Sequence, residues 1–359
     1  MKYIPKIDGC RAFAVLAVLM SHYFPEGYIS HDLPFGIWGV QLFFVISGYL
    51  ITGILIDSKI KRASTSSKST IWKVFYMRRI LRIFPPYYLL LVVYILGNVD
   101  YPNGSLWTCL SYLFNFHQIV DPGEYHYLGH LWTLCIEEQF YLVWPWVIIL
   151  FPNRKLVALT IAFFLLSPIS RGLLSAFDVP YTAIRNLPTS QLDSLCGGAM
   201  LVLFQRGFSP EIYRLWKKCL PITSAVGLAF SILPLIFDTF GFLKPTITLL
   251  GPAILSMVII DIVSSDHFSK LTSFLKFKPL ILVGRISYGI YLYQFVTLFV
   301  LYKIINIVKH PSWIINDYSF AFIWTILTIA LAAFSWFLFE SPILRLKRYF
   351  NYDKRRESL

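Results

Sequence analysis

The chain has 359 residues, 57% of them hydrophobic and only 14% charged, with a mean hydropathy of +0.63 and a formal net charge of +13. A soluble domain carries about 25% of its residues as charges, so an ordinary water-soluble fold is excluded and the bilayer is the solvent for most of the chain. The five cysteines (Cys10, Cys109, Cys135, Cys196 and Cys219) are odd in number, widely spaced and without a CxxC pair, which indicates neither a disulfide framework nor a zinc site.

Lys2 and Lys6 precede the first apolar run, but no small-residue cleavage site follows it. The run ends in His22-Tyr23-Phe24-Pro25 and reads as an uncleaved first helix. Apolar segments then recur near 7–26, 36–57, 83–98, 128–151, 156–176, 191–205, 219–237, 246–263, 280–302 and 320–340. Several approach the roughly 20 residues that cross the hydrocarbon; those at 83–98 and 191–205 are short. The fold expected is all-α, a polytopic bundle of about ten transmembrane helices. Leu106 to Phe116 is too short to span and reads as an interfacial or re-entrant piece of an outer loop, and residues 61–70 as a flexible linker.

The basic residues set the expected topology. With the N-terminus inside, 25 of the 32 Lys and Arg residues fall on inner segments, and the outer loops hold only Arg185, Lys244, Lys303 and Lys309. Such a bias places both termini in the cytoplasm. It also accounts for the net charge without a nucleic-acid partner. Residues 1–342 form the membrane domain, and 343–359 read as a basic cytoplasmic tail.

Ionisable groups inside a membrane are costly and ask for a reason. Arg11 and His22 are eleven residues apart on the first helix, about three turns, so they share a face roughly 16 Å apart along the axis. An imidazole there suits proton abstraction; a helix-packing hydrogen bond and a snorkelling arginine are the competing reading. Gly39, Ser47 and Gly48 on the second helix suit close helix approach. Residues 71–84 have the pattern of an in-plane amphipathic helix, with Pro85 and Pro86 opening the third span. Arg79 and Arg82, three apart on one face, suit the phosphates of a cytoplasmic ligand or serve as positive-inside anchors. Glu137 and Glu138 are adjacent on the fourth span and point about 100° apart, so one of them faces a given neighbour.

Together these stretches resemble the integral membrane acyltransferases of acyltransferase family 3. The resemblance runs through Ile7-Asp8-Gly9-Cys10-Arg11 and His22, Gly39 to Tyr49, Arg79-Ile-Leu-Arg82-Ile-Phe-Pro85, and Leu131-Trp-Thr-Leu-Cys-Ile-Glu137-Glu-Gln-Phe-Tyr141. It continues in Gly284-Arg-Ile-Ser-Tyr-Gly-Ile-Tyr-Leu-Tyr293 and Phe339-Glu340-Ser-Pro342, and so covers nearly the whole length. It implies transfer of an acyl group, usually acetyl, from its coenzyme A thioester to a carbohydrate hydroxyl, without a metal. It matches Arg11 and His22 to the family's Arg-x10-His motif, matches Arg79 and Arg82 to its Arg-x-x-Arg motif, and selects Glu137 over Glu138.

On that resemblance, His22 is expected as general base, Glu137 as the group that orients or charge-stabilises it or positions the acceptor, and Arg11 as a cofactor or thioester-carbonyl ligand. Arg79 and Arg82 are expected on the coenzyme's phosphates. The acceptor expected is a cell-surface glycan, such as a lipopolysaccharide or exopolysaccharide, or its lipid-linked precursor. The setting expected is the cell inner membrane. Gln294 stands where relatives often carry histidine, so no acid–base work is assigned to the ninth span. Some relatives append a periplasmic hydrolase-like domain; here transfer is expected within the membrane domain. A glycan or lipid transporter is the alternative, since intramembrane charges suit that as well.

Overall fold

The computed structural model describes residues 3–23, 33–62, 68–99, 101, 104–123, 125–237, 239–265, 268–308 and 317–350. Among these residues there is no strand. The helices are α1 (Pro5–Tyr23), α2 (Phe35–Arg62), α3 (Lys68–Leu96), the short α4 (Ser105–Leu110) and α5 (Phe114–Val120), α6 (Trp132–Leu150) and α7 (Asn153–Ala176). Then come the short α8 (Tyr181–Asn186), α9 (Leu192–Gln205), α10 (Pro210–Ile236), α11 (Lys244–Ser264), α12 (Lys278–Val308), α13 (Asp317–Ser335) and α14 (Ser341–Arg345). The protein is a polytopic helical membrane bundle.

Eight helices (α2, α3, α6, α7 and α10 to α13) are long and apolar enough to cross a bilayer. The other two expected spans are helical too, and their composition follows from their position. α1 carries Lys6, Asp8 and Arg11 within 19 residues. α9 has only 14 residues, about 21 Å of rise. Both pack extensively on protein: α1 lies against α2 and α12, with Phe13 and Met20 left exposed, and α9 is enclosed by α2, α7 and α11. Every α9 residue from Asp193 to Phe204 except Met200 is buried. A helix surrounded by other helices needs neither a full hydrocarbon length nor an all-apolar surface. By contrast α10, packed chiefly on α11, leaves most of its apolar residues exposed.

Glycine sets the closest approach. A Cβ on Gly48 would collide with the Leu195 carbonyl of α9, and one on Gly198 with the Val45 carbonyl of α2, so the two backbones touch reciprocally. The small-residue stretch of the second helix is thus used for packing, as its composition suggested. Arg171, one of three arginines inside apolar segments, is fully buried against Asp193 at 2.6 Å. It also donates to the Ser190 carbonyl at 2.6 Å and the Ser167 hydroxyl at 3.0 Å. Lys59 reaches the carbonyls of Ile148 at 2.7 Å and Phe151 at 2.6 Å, placing a cation at the C-terminal end of α6.

Two expectations need correcting. The in-plane helix over 71–84 and the third span are one continuous helix, α3, with Pro85 and Pro86 inside it. Proline ends helices in water by leaving carbonyls unsatisfied, but within a membrane bundle neighbouring groups can make up the loss. The linker is shorter than 61–70, because α2 runs to Arg62 and α3 starts at Lys68; residues 63–67 lie outside the described residues. The chain stays helical past residue 342, through α14 and a turn at Leu346–Tyr349 that pack on α3; residues 351–359 lie outside the described residues.

Gly198→Val should overpack the α2–α9 contact and lower the thermal midpoint in detergent, at a cost of about 1–3 kcal/mol or more. Gly172→Ala, whose added methyl meets only Thr246 at 3.7 Å, should be neutral or stabilising by about 0.5–1 kcal/mol. Differential scanning fluorimetry of both variants checks the pair.

Candidate active site

Two cavities open along α1. The proximal one, near the end where α1 begins, has a volume of about 60 Å³ and is lined by Arg11, Ser47, Glu137, Ser287, Tyr288 and Tyr291 among others. The distal one, of about 260 Å³, lies where α1 ends and is lined by Ser21, His22, Gln41, His130, Arg185 and Tyr291 among others. Val40 and Tyr291 line both. The shared helical face of Arg11 and His22 therefore serves two chambers that have Val40 and Tyr291 in common.

In the proximal chamber α6 presents Glu137. Its Oε1 accepts a hydrogen bond from the Ser47 hydroxyl at 2.6 Å, and Ser47 lies 2.7 Å from the Tyr141 hydroxyl. Arg11 and Arg79 are both within electrostatic reach of the carboxylate. Arg82 in turn lies within reach of Arg11, Arg79, Asp8 and Glu340. The Arg79 guanidinium sits 5.8 Å from the Tyr141 ring centre and 5.7 Å from that of Phe75. Arg11 has a distant ion pair with Asp8, 3.9 Å away, and its Nε is buried without a hydrogen bond.

The continuity of α3 is what carries Arg79 and Arg82 to Arg11 and Glu137. Arg11 and Arg79 thereby face Glu137, while Arg82 lies beside both arginines and near Asp8 and Glu340. Glu340 joins from the π-helical turn Trp336–Glu340, where the Ser335 hydroxyl donates to it at 3.1 Å. Such a turn inside a helix often marks a functional position.

Glu138 does not line this chamber. Its Oε1 is buried without a hydrogen bond, near Tyr88, Tyr112 and Tyr288. The structure therefore distinguishes the two carboxylates as the roughly 100° offset requires.

In the distal chamber the His22 ring is open to the cavity and packs edge-on against Phe295, 5.3 Å between ring centres. No hydrogen bond joins His22 to Glu137 among the described residues, so the structure does not bring that pair together. The polar group beside His22 is Gln294, close enough to interact although neither of its amide atoms makes a well-aligned hydrogen bond.

A second histidine, His130, is buried in the turn Gly129–Leu131 before α6. Its Nε2 lies 3.3 Å from the Leu292 carbonyl. The Tyr291 hydroxyl lies 3.0 Å from the His130 carbonyl and 2.7 Å from the Thr133 hydroxyl. Arg185 stacks over Trp132 at 5.0 Å and lines the same cavity, with no carboxylate in ion-pair range among the described residues.

His130, Tyr291 and Arg185 were not singled out as site residues by the sequence reading. Arg185 counted only as an outer-loop cation. Ser47 read as a small residue for packing. Nothing local marks them; the contacts of α12 and α2 with α6 do.

The fold and the two chambers define an integral membrane helix bundle with half-buried arginines, a carboxylate and two histidines along its first helix and the elements packed on it. Residues 4–340 match the family model described as an acyltransferase domain, and the chain belongs to that family, acyltransferase family 3. It is 31% identical over 385 aligned positions to the peptidoglycan O-acetyltransferase OatA of Listeria monocytogenes, covering 98% of this chain and 57% of that protein. It is 29% identical to O-acetyltransferase OatA of Staphylococcus aureus, with 95% and 57% covered. It is 28% identical to the putative peptidoglycan O-acetyltransferase YrhL of Bacillus subtilis, with 99% and 57% covered. The chain thus spans a little over half the length of these relatives. No solved structure matches it.

Ser47→Ala and Glu137→Gln should be strongly coupled. A hydrogen bond to a charged group contributes about 1.5–3 kcal/mol, so a double-mutant cycle of thermal or denaturant stability should give a coupling energy of about 1 kcal/mol or more. Additive losses would detach Ser47 from the carboxylate.

Proposed function

We propose that the protein is a membrane O-acyltransferase that moves an acetyl group, or another short acyl group, from its coenzyme A thioester to a hydroxyl of a cell-envelope glycan, with the peptidoglycan of its relatives as the first candidate. The observation that carries this reading is the pair of chambers on α1: one lined by Arg11 and Glu137, with Arg79 within electrostatic reach of that carboxylate, and a histidine-bearing one around His22, the two sharing Val40 and Tyr291.

The donor enters the proximal chamber, on the cytoplasmic side. Arg79 and Arg82 bind its phosphates, because guanidinium forks match phosphate oxygens. Arg11 holds the coenzyme or the thioester carbonyl, and Glu137 keeps the arginines spaced and compensated. The donor's flexible arm then runs along α1 toward Tyr291. The acceptor enters the distal chamber. His22 takes the proton of its hydroxyl as the oxygen attacks the thioester carbon. The new C–O bond forms, the C–S bond breaks, and the thiolate of coenzyme A leaves and takes up a proton. Gln294 cannot exchange a proton at neutral pH, so within this reading it steadies the imidazole and no more. The lysine and arginine bias supports an inner-membrane protein with both termini in the cytoplasm.

Two chambers at opposite ends of one helix also suit a glycan or lipid transporter that opens to each side in turn. Coenzyme A release separates the readings. The purified protein with acetyl-CoA and a soluble peptidoglycan fragment should release thiol in a glycan-dependent manner, whereas a transporter leaves the thioester intact.

His22→Ala should lower this rate by about 10²–10⁴-fold, the usual contribution of a positioned base, with acetyl-CoA binding retained. His22→Gln should not restore it, because an amide cannot take the proton. Retained turnover in His22→Ala would remove the general-base role. Arg79→Ala with Arg82→Ala should weaken acetyl-CoA binding by about 10²-fold or more, since two charge-assisted hydrogen bonds are lost; unchanged binding by calorimetry would leave the two arginines as topology anchors. Reporter fusions at residue 65 and at the C-terminus should read cytoplasmic, and one near residue 120 should read external.

A further inference from the structure

We propose that His130 is a second acceptor-binding residue. Its Nδ1 accepts a hydrogen bond from a hydroxyl or amide N–H of the sugar next to the hydroxyl that His22 deprotonates. This rests on the acyltransferase reading and adds a requirement on the acceptor: a hydrogen-bond donor adjacent to the reacting oxygen.

The tautomer comes first. Nε2 of His130 faces the Leu292 carbonyl at 3.3 Å. A carbonyl oxygen only accepts, so Nε2 carries the proton of that contact. The groups facing the ring from the elements around it are His22 on α1, Tyr291 on α12 and Arg185 on α8; no carboxylate lines this cavity among the described residues. Nothing there favours a second proton, which leaves a lone pair on Nδ1. That atom is buried and has no hydrogen-bond partner. A buried acceptor left unsatisfied is costly and uncommon in proteins, and it ordinarily has a reason.

The ring is also held in place. It packs at 4.9 Å from the Phe295 ring centre and 5.5 Å from that of Tyr291, and its own carbonyl lies 3.0 Å from the Tyr291 hydroxyl. His22 contacts the same Phe295 ring at 5.3 Å. One aromatic ring thus spaces two imidazoles that line one cavity. One is open at the rim and the other is fixed deeper with an unused acceptor. A sugar offers adjacent polar hydrogens on neighbouring ring carbons, the ligand geometry that suits such a pair.

Two conservative substitutions separate the ring's two nitrogens. His130→Gln keeps an amide N–H where Nε2 meets Leu292 and loses the acceptor at the Nδ1 position. His130→Asn keeps an acceptor near Nδ1 and loses the Leu292 contact. Steady-state release of coenzyme A is measured with acetyl-CoA and a soluble peptidoglycan tetrasaccharide as the probe acceptor. His130→Gln should raise the KM for the tetrasaccharide by about 10- to 100-fold, the span of one lost hydrogen bond to a polar ligand, with the KM for acetyl-CoA unchanged. His130→Asn should stay within a few-fold of the parent. The pH dependence of kcat, assigned to His22, should be the same in both.

The reverse order, with His130→Asn impaired and His130→Gln normal, would make His130 a structural residue and overturn the proposal. A fall in kcat with an altered pH profile would make it the base instead and also overturn it. If the parent protein releases no coenzyme A with the tetrasaccharide but does so with another glycan, the variants are compared on that glycan. If it does so with none, the acyltransferase reading itself fails.

Discussion

Buried positive charge is the constraint around which the bundle is arranged. Arg11, Arg79 and Arg82 converge in a region walled by apolar helices, and such charge persists only where an opposite charge and hydrogen bonds answer it. Glu137 supplies the charge, and Ser47 fixes the carboxylate from the neighbouring helix. Asp8 and Glu340 bring two further acids from the two ends of the chain. The site thereby draws on α1, α2, α3, α6 and the segment after α13, which explains why its residues are scattered through the sequence. The fully buried pair of Arg171 and Asp193 obeys the same rule away from the chambers and ties α7 to the short α9.

Enclosure by other helices makes this possible. α1 and α9 do not meet the length and composition of a lipid-facing span; α9 is buried almost throughout, and α1 packs most of its surface on its neighbours while exposing Phe13 and Met20. Close backbone contact between α2 and α9, through Gly48 and Gly198, builds the wall that keeps α9 covered. The longer helices α10 and α13 present much of their apolar surface outward. Polar chemistry sits inside and hydrophobic bulk outside, the distribution expected where the bilayer is the solvent.

Much of this was legible in the sequence because hydrocarbon imposes simple rules. Long apolar runs mark spans, and a charge within one marks a site, so α1 with Arg11 and His22, and α6 with Glu137, stood out. Sequence periodicity also separated Glu137 from Glu138 by direction, although only the neighbours decide which direction is the site. The pattern misled at Pro85 and Pro86, where the soluble-protein rule placed a break and the chain has one helix. That error hid the approach of Arg79 to Glu137 and of Arg82 to Arg11. His130 and Tyr291 were illegible as a site for a different reason: α12 follows α6 by well over a hundred residues, and no local pattern encodes which faces of the two will meet.

Tyr291 carries a consequence of its own. It is part of the lining of both chambers, and its hydroxyl is engaged with Thr133 and with the backbone of His130. An occupant that presses on this ring from one side alters the space offered on the other. Binding free energies are reciprocal, so any factor by which the first ligand changes the affinity of the second is returned in full when the order is reversed. Any ligands taken up by the two cavities would therefore be linked through side chains common to both, without movement of a whole helix.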